Sequence, residues 1–149
     1  MKEIFRGKDC DDVWHEGFYC VFNGKAHRIY TGYAETDCGE YYPDYYTVIP
    51  ETVGRCAGGI TDKNGKMLFE GDIVKSDGVF HDIISVVRFG EYNTLNDSID
   101  YQCGHMGFYL EHMDDFNKKT IRNDIMFFVD KCEIIGNIFD NPELLKEAK

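Results

Sequence analysis

Three residues have side chains that suit a metal site. Cys103 and His105 are separated by one residue, and His112 follows further along the same segment. Thiolate and imidazole groups are suitable zinc ligands. However, a Cys-x-His pair on a strand lacks the turn that wraps around a metal, and the sequence offers no fourth ligand nearby. We therefore expect these to be unrelated surface or core residues, and we predict neither a metal site nor any other cofactor.

Histidines next to acidic residues could supply an acid–base pair. The candidates are His15, Glu16, His27 and Asp37 in one group, and His81 with Asp82 in another. Acid–base catalysis needs such groups in a cleft that shifts their pKa values, and the sequence indicates no such cleft. There is no Gly-x-Ser-x-Gly elbow, no Gly-Lys-Thr phosphate loop and no His-Glu-x-x-His helix. We predict no catalytic residues and no enzymatic activity, with an unrecognised enzyme as an alternative.

The chain has six cysteines, at positions 10, 20, 38, 56, 103 and 132. None forms a Cys-x-x-Cys pair, so the zinc-ribbon and thioredoxin signatures are absent. Residues 1–7 contain no apolar signal segment, and we expect a cytoplasmic protein whose thiols are reduced and mostly buried. Cys38 could act as a nucleophile, but no base can be identified for it.

Three glycines, Gly54, Gly58 and Gly59, raise the hypothesis of nucleotide binding. A dinucleotide fingerprint needs a strand, a glycine turn and a helix in succession. A hairpin signal follows these glycines instead, so we interpret them as turn and bulge positions and predict no cofactor-binding residues.

Four tyrosines form the densest aromatic cluster: Tyr41, Tyr42, Tyr45 and Tyr46 surround Pro43. Tyrosines offer large contact areas at low entropic cost and are enriched at protein interfaces. They could equally form an aromatic edge strand that packs on its own lobe. Both interpretations stay open, and an interface would be sought here first.

The net charge of −11 is spread evenly along the chain. Each third carries nine acidic residues against five or six Lys/Arg, so no segment is basic. Nucleic-acid binding draws its affinity largely from neutralised phosphates, and anionic membranes also need basic patches. We therefore expect neither partner. An acidic mimic of DNA that inhibits a host DNA-binding enzyme is an alternative function.

Turn signals at Asn23-Gly24, Asn64-Gly65 and Asp77-Gly78 predict antiparallel hairpins. The predicted strands are Val13 to Phe22, Ala26 to Tyr30, Tyr45 to Ile49, Met67 to Phe69, Ile73 to Lys75, Ile83 to Phe89, Phe108 to Leu110, Ile125 to Val129 and Glu133 to Phe139. The strand from Ile83 is apolar on both faces, which predicts a central position in its sheet.

One helix is well signalled, at the C-terminus. Asn141 can cap it and Pro142 suits its first position. The polar segments 92–103 and 114–123 are predicted to be surface loops or short helical turns. The sequence as a whole therefore predicts a mainly β protein.

Several segments resemble the YopX family of small phage and prophage proteins. They are Phe5-Arg6-Gly7-Lys8 followed by Trp14 and Gly17, Ile49 to Gly54, Asp62 to Lys66 with Glu70 to Val74, and Ile135 to Leu145. The tyrosine insert at 41–46 is not part of this pattern.

This resemblance implies a fold and no chemistry. It implies a mainly β protein that contains a small SH3-like barrel. We predict an N-terminal antiparallel β lobe (1–58) packed on this barrel, which includes a C-terminal strand and short helix (59–149). The two parts could also form one structural unit. No catalytic residue is implied. We predict a non-catalytic protein-interaction module that acts on a host or phage protein, with self-association as a further possibility.

Overall fold

The computed structural model describes residues 3–93, 104–115, 117 and 123–148. The chain divides into two compact units, residues 1–58 and 59–149, and each is described by itself. Within the described ranges the fold is mainly β, which confirms the predicted class. No helix in these ranges has the length and apolar character needed to cross a bilayer.

Unit 1 consists almost entirely of antiparallel strands. They are β1 (Phe5–Lys8), β2 (Trp14–Phe22), β3 (Ala26–Glu35), β4 (Tyr41–Thr47) and the first part of β5 (Gly54–Thr61), with a 3-10 helix at Pro50–Thr52. The strand order is β4-β3-β2-β1-β5. The Ile49 N–H donates to the Lys8 carbonyl at 2.8 Å, so the chain after β4 returns to β1 and the sheet curls around Ile29 and Val48.

The first predicted hairpin is confirmed. β2 and β3 pair from Phe22↔Ala26 onwards, and Asn23 and Gly24 between them both have positive φ (51° and 66°). Asparagine and glycine tolerate this left-handed conformation better than other residues. The turn residues therefore fix the register of β2 against β3, which decides which side chains share a face.

Unit 2 contains a four-stranded antiparallel sheet in the order β10-β7-β8-β9. Its elements are the end of β5, β6 (Met67–Phe69), β7 (Asp72–Ser76), β8 (Ile83–Asn93), β9 (Gly104–His112), α1 (Ile125–Phe128), β10 (Cys132–Asn137) and α2 (Glu143–Glu147). β8 lies between β7 and β9, so its predicted central position is confirmed. Val86, Val87 and Leu110 are fully buried there.

The hairpin before β6 is built on a buried carboxylate. Asp62 is 3% exposed and accepts hydrogen bonds from the N–H groups of Asn64, Lys66 and Ile134 (2.9, 2.9 and 3.1 Å). Only Gly65 of the predicted Asn-Gly turn has positive φ. The hairpin predicted at Asn64-Gly65 forms, and the Asp62 side chain organises its turn.

Several sequence predictions need correction. Residues Ile125–Phe128 form α1 rather than a strand, and β1 and β5 were not predicted. The hairpin predicted at Asp77-Gly78 is confirmed, since β7 and β8 pair antiparallel, but six residues (77–82) connect the strands instead of a two-residue turn. α2 exists, but Asn141 does not cap it; its Oδ1 accepts the Asn137 N–H instead.

Two further predictions concern closure and loops. The described strands form open sheets, so an SH3-like barrel stays a prediction. Tyr92 and Asn93 belong to β8 rather than to a loop. The rest of the 92–103 segment, and most of 114–123, lies outside the described residues.

Candidate functional site

The structure does not bring the proposed zinc ligands together. Cys103 lies outside the described residues. His105 is exposed and stacks on Tyr92, with ring centroids 5.4 Å apart. His112 is 2% exposed, and its Nδ1 is 2.7 Å from the Ser85 hydroxyl. An odd separation along one strand places the two histidines on opposite faces. Among the described residues no three His, Cys, Asp or Glu side chains could hold a metal ion.

The first acid–base group is dispersed, although His15 has a carboxylate partner. Its Nε2 is 2.7 Å from Asp9 Oδ2, and its ring stacks on Tyr46 at 3.6 Å. The hydrogen bond with His15, and then that from the Val13 N–H, hold the pKa of Asp9 below its usual value. Asp9 also accepts the Asp11 N–H, so this carboxylate organises the turn between β1 and β2.

The remaining candidates lie apart from this pair. His27 contacts the Tyr19 hydroxyl at 2.5 Å, and burial raises the pKa of that phenol. Asp37 is exposed in the β3–β4 turn. His81 Nε2 lies 3.9 Å from Asp114 Oδ2. Its sequence neighbour Asp82 instead forms an ion pair with Lys75, with Oδ2 and Nζ 3.5 Å apart. His15, His27 and His81 thus each contact a different partner.

The five described cysteines are all unpaired. Cys56 and Cys132 are buried, but Cys10 and Cys38 are exposed and Cys20 is half-buried. The expectation of mostly buried thiols is therefore wrong for the two that lie in turns. Among the three glycines, Gly58 and Gly59 have positive φ (62° and 84°) within β5, which explains them by backbone conformation.

The tyrosine cluster forms β4, the edge strand of the unit 1 sheet. All four tyrosines are substantially exposed: Tyr41 70%, Tyr42 50%, Tyr45 42% and Tyr46 40%. Because side chains alternate along a strand, Tyr46 points to the inner face, where it meets His15. Tyr45 points to the opposite, outer face of the sheet.

Tyr45 is joined on the outer face by residues from the two neighbouring strands. We call this set the outer aromatic face; it consists of Phe18 and Phe22 on β2, Arg28 and Tyr30 on β3, and Tyr45 on β4. Phe18 is 63% exposed and Phe22 44% exposed. Tyr30 and Tyr45 are direct cross-strand partners with ring centroids 5.4 Å apart. The sheet therefore presents aromatic rings to solvent on the side opposite its core.

Arg28 is held between two of these rings. Its guanidinium carbon lies 4.0 Å from the Phe22 centroid and 4.1 Å from the Tyr45 centroid. Contacts of this kind are worth about 0.5–2 kcal/mol each. Arg28 Nε is enclosed without a hydrogen-bond partner, and Arg28 forms no ion pair with any described residue. The face therefore carries a fixed cation whose charge is not neutralised by a described carboxylate.

A groove of about 590 Å³ adjoins the outer aromatic face within unit 1. Its lining includes Phe18, Tyr30, Tyr33 and Pro43. β2 pairs with β3 only as far as Phe18↔Tyr30, and from Gly17 back it pairs with β1. The groove therefore lies where β2 leaves β3.

Gly17 makes this divergence possible. A Cβ at Gly17 would lie 2.2 Å from the Tyr30 carbonyl oxygen, closer than any two such atoms can approach. Only glycine therefore allows the two backbones to pack here while β2 changes partner. Beyond this point β3 and β4 continue alone as a two-stranded ribbon, from Gly32↔Asp44 to Glu35↔Tyr41, which we call the β3–β4 arm (residues 31–44).

Comparison with known proteins identifies the family. The model of the YopX protein family matches residues 5–146, nearly the whole chain. The chain belongs to the YopX family. No curated protein and no solved structure matches it significantly. The resemblance seen in the sequence motifs is thus confirmed, and in this YopX chain the matched range spans the residues of the outer aromatic face and of the β3–β4 arm.

Sequence reasoning found only one part of this candidate site. The density of tyrosines pointed to β4, but Phe18, Phe22 and Arg28 were not singled out. Their shared face depends on the register that the Asn23-Gly24 turn imposes. Alternation within β2 places Phe18 and Phe22 on one face, and that pattern was the available signal.

Proposed function

We propose that the protein is a non-catalytic protein-interaction module that binds its partner through the outer aromatic face. The observation that carries this proposal is the exposure of Phe18, Phe22 and Tyr45 (63%, 44% and 42%) around one fixed cation. Aromatic residues and arginine are enriched at interface cores and among binding hot spots. Isolated exposed apolar residues need no explanation, but a contiguous set on one face does.

The arrangement of Arg28 supports binding rather than catalysis. The two rings already restrict its guanidinium, so less side-chain entropy is lost when a partner contacts it. A partner carboxylate or carbonyl could meet its terminal nitrogens in the plane of the group. No described histidine or carboxylate lies in the set, so the face contains no acid–base pair.

We propose that the partner is a host or phage protein and that the module acts in the cytoplasm of a bacterial host. Membership of the YopX family supports a phage or prophage origin, as the motif resemblance implied. The unpaired state of the five described cysteines supports a reducing compartment. In this proposal residues 59–149 form an SH3-like scaffold, to which β6 to β10 would contribute strands.

The DNA-mimic alternative receives less support from the described residues. A mimic needs carboxylates that project at phosphate-like spacing. Several carboxylates are instead used internally: Asp9, Asp62, Asp72 and Asp114 accept backbone hydrogen bonds. Others pair with cations, as Glu111 does with Arg88 at 2.8 Å.

Site-specific photo-cross-linking in host cells tests the proposal. The photoreactive residue p-benzoylphenylalanine replaces Phe18 or Tyr45 in separate variants, because it preserves an aromatic ring at each site. The matched control places it at Phe80, which is 85% exposed on a loop of unit 2. We expect one discrete adduct from the two face positions, identified by mass spectrometry, and none of that mass from the control.

The cross-linking result is decisive in both directions. Purified partner should then form the same adduct in vitro, which excludes capture by chance in the cell. Equal adducts from all three positions, or none from Phe18 and Tyr45, would contradict the assignment of the face.

A further inference from the structure

One edge of β3 lacks a neighbouring strand over the β3–β4 arm. β2 pairs with β3 between Phe18↔Tyr30 and Phe22↔Ala26, whereas β3 continues to Glu35 and pairs there with β4. In the described structure no strand covers the opposite edge of residues 31–35. This edge opens into the groove beside Phe18 and Pro43.

The pairing of β3 with β4 shows which backbone groups point to that edge. Opposed residues of an antiparallel pair alternate between those that exchange hydrogen bonds and those that do not. Thr36 and Glu40 form a bonded pair, so the alternation makes Tyr33 and its partner Pro43 a non-bonded pair in which Tyr33 directs its N–H and C=O away from β4; Pro43, which has no N–H, fits this position. Glu35 does the same two residues on. The Thr36 N–H donates to the Glu40 carbonyl at 2.8 Å, which fits this alternation.

The negative charge of the β3–β4 arm favours a basic partner segment at the free edge of β3. Residues 31–44 contain four acidic residues and no Lys, Arg or His. Of these, Glu35, Asp37 and Glu40 are exposed, and none of the four forms an ion pair with a described residue. A basic segment is therefore attracted to this edge, whereas a nucleic acid is repelled from it.

The groove supplies the apolar part of the site. Tyr33 is 77% exposed and lies with Phe18 and Pro43 beside the free edge. An added strand would direct alternate side chains to opposite sides. Tyr33 and Glu35 lie two residues apart and therefore face the groove side, whereas Asp44, opposite Gly32, faces the other side. Apolar side chains of the added strand would enter the groove, and basic side chains on the other side would approach Asp44.

We propose that the free edge of β3 binds an extended segment of a partner protein, with alternating basic and apolar residues, as an added β-strand. Main-chain hydrogen bonds to Tyr33 and Glu35 provide affinity in this mode, and the alternate side chains provide specificity. The inference rests on the proposed interaction function and specifies the chemistry of its partner.

Amide hydrogen exchange measured by NMR tests the free edge first. In the protein alone, the Ala34 amide exchanges slowly because it bonds to β4, while the Tyr33 and Glu35 amides exchange fast. The probe is a terminally blocked octapeptide of alternating valine and lysine. At saturating probe and low salt, exchange at Tyr33 and Glu35 slows by about tenfold or more.

Two control peptides isolate the cause of the protection. In one peptide, the backbone N–H groups that would donate to β3 are replaced by N-methyl groups, so this peptide cannot form the hydrogen bonds of an added strand. The other replaces each lysine with glutamate. We expect neither control peptide to slow amide exchange at Tyr33 or Glu35, because binding requires both the strand hydrogen bonds and the basic side chains. Equal slowing by the N-methylated peptide overturns the strand-addition inference.

Two variants of the protein distinguish the contribution of the Tyr33 backbone N–H to peptide binding from that of its aromatic ring. Tyr33→Ala removes the ring and keeps the N–H, whereas Tyr33→Pro removes both at an edge position where proline is tolerated. We expect the Tyr33→Ala variant to retain part of its affinity for the peptide. The Tyr33→Pro variant should bind the peptide at least severalfold more weakly than Tyr33→Ala. Slow exchange at Ala34 in both variants shows that the arm still folds.

The remaining outcomes are also decisive. Protection of Tyr33 and Glu35 that grows with protein concentration, without peptide, means that a second copy covers the edge and overturns the inference. Unchanged exchange in saturating peptide overturns it as well. In either case, cross-links from Phe18 and Tyr45 would still support binding through the outer aromatic face. Failure of the strand-addition inference is therefore distinguishable from failure of the proposed function.

Discussion

At the scale of single residues, Gly17 has the most specific structural requirement. The Tyr30 carbonyl oxygen occupies the space that a Cβ at this position would need. The contact is with backbone, which cannot move aside as a flexible side chain can. Gly17 therefore fixes the point at which β2 leaves β3, and the groove depends on it.

We predict that Gly17→Ala lowers the free energy of unfolding by about 1–3 kcal/mol or more, because the clash forces backbone shifts. Gly32→Ala is the matched control, since a Cβ at Gly32 meets nothing within 4 Å. Urea unfolding of both variants measures the difference. Equal stability of the two variants would contradict the close approach of β2 and β3.

Asp62 is a second residue whose role follows from its contacts. Burial alone would raise its pKa, but hydrogen bonds from the N–H groups of Ile134, Lys66 and Asn64 outweigh burial, so the pKa is lowered. A lowered folded-state pKa means that the carboxylate stabilises the fold above the unfolded value of about 3.9. That stabilisation is lost as the pH falls through the folded value.

We predict that Asp62→Asn lowers the free energy of unfolding by about 1–3 kcal/mol at pH 7, because charge-assisted hydrogen bonds weaken. The difference from the unsubstituted protein should shrink as the pH falls below the unfolded-state pKa of about 3.9 and through the lower folded-state pKa. Urea unfolding across this pH range measures it, with Asp11→Asn on the exposed β1–β2 turn as the control. A difference that does not vary with pH would contradict the account.

At the scale of elements, the central strand β8 and its neighbour β9 contribute facing residues to the unit 2 core. Leu110 on β9 and Val87 opposite it on β8 are both fully buried. Apolar residues on both faces of β8 already predicted this position from the sequence, because a strand that faces solvent on one side needs polar residues there.

We predict that Leu110→Ala lowers the free energy of unfolding by about 2–5 kcal/mol, through lost apolar burial and the cavity that remains. Met126→Ala is the control, because Met126 is 67% exposed on α1, and it should change stability by about 0.5 kcal/mol or less. Chemical unfolding measures both. Similar losses in the two variants would contradict the position of β9 in the core.

The elements that sequence reasoning missed have physical explanations. The run from Ile125 is short and apolar, and such runs fit a strand or a buried helix equally well. β1 has only four residues, of which two are charged and one is glycine, so it shows no alternation. β5 contains three glycines, which weaken any strand pattern.

The candidate site was predictable only in part for a related reason. Local composition reveals β4, since four tyrosines lie within six residues. Arg28 and Phe22 join Tyr45 only through the pairing of three strands. That pairing depends on the turn at Asn23-Gly24 and on the bulge between Tyr30 and Gly32, and composition does not specify these registers.

At the scale of the whole molecule, the cysteines report on the fold. Cys10 and Cys38 are exposed, whereas Cys56 and Cys132 are buried. Burial also raises the pKa of the Cys132 thiol, so less of the reactive thiolate is present at neutral pH.

We predict that Cys10 and Cys38 react quickly with a thiol reagent, while Cys56 and Cys132 react only after unfolding. A Cys103→Ser background removes the remaining thiol, which lies outside the described residues. Mass spectrometry of peptides after timed labelling measures each site. Fast labelling of Cys56 or Cys132 in the folded protein would contradict their burial.

The acidic character of the whole chain also bears on function. A net charge of −11 favours a partner with a basic contact surface and disfavours nucleic acid. Association with such a partner should slow and weaken as salt is added, because long-range attraction is screened over about 8–10 Å at physiological ionic strength.

The outer aromatic face is tested most directly by the affinity of the cross-linked partner for two double variants. The first double variant carries both Phe18→Ser and Tyr45→Ser. The second, a control, carries both Val79→Ser and Phe80→Ser, at residues that are 92% and 85% exposed. Calorimetry measures the affinity of the partner for each. We predict that the first loses about 30-fold or more in affinity, as hot-spot truncation does, and that the second binds normally. Normal binding by the Phe18/Tyr45 variant would contradict the assignment of the interaction surface.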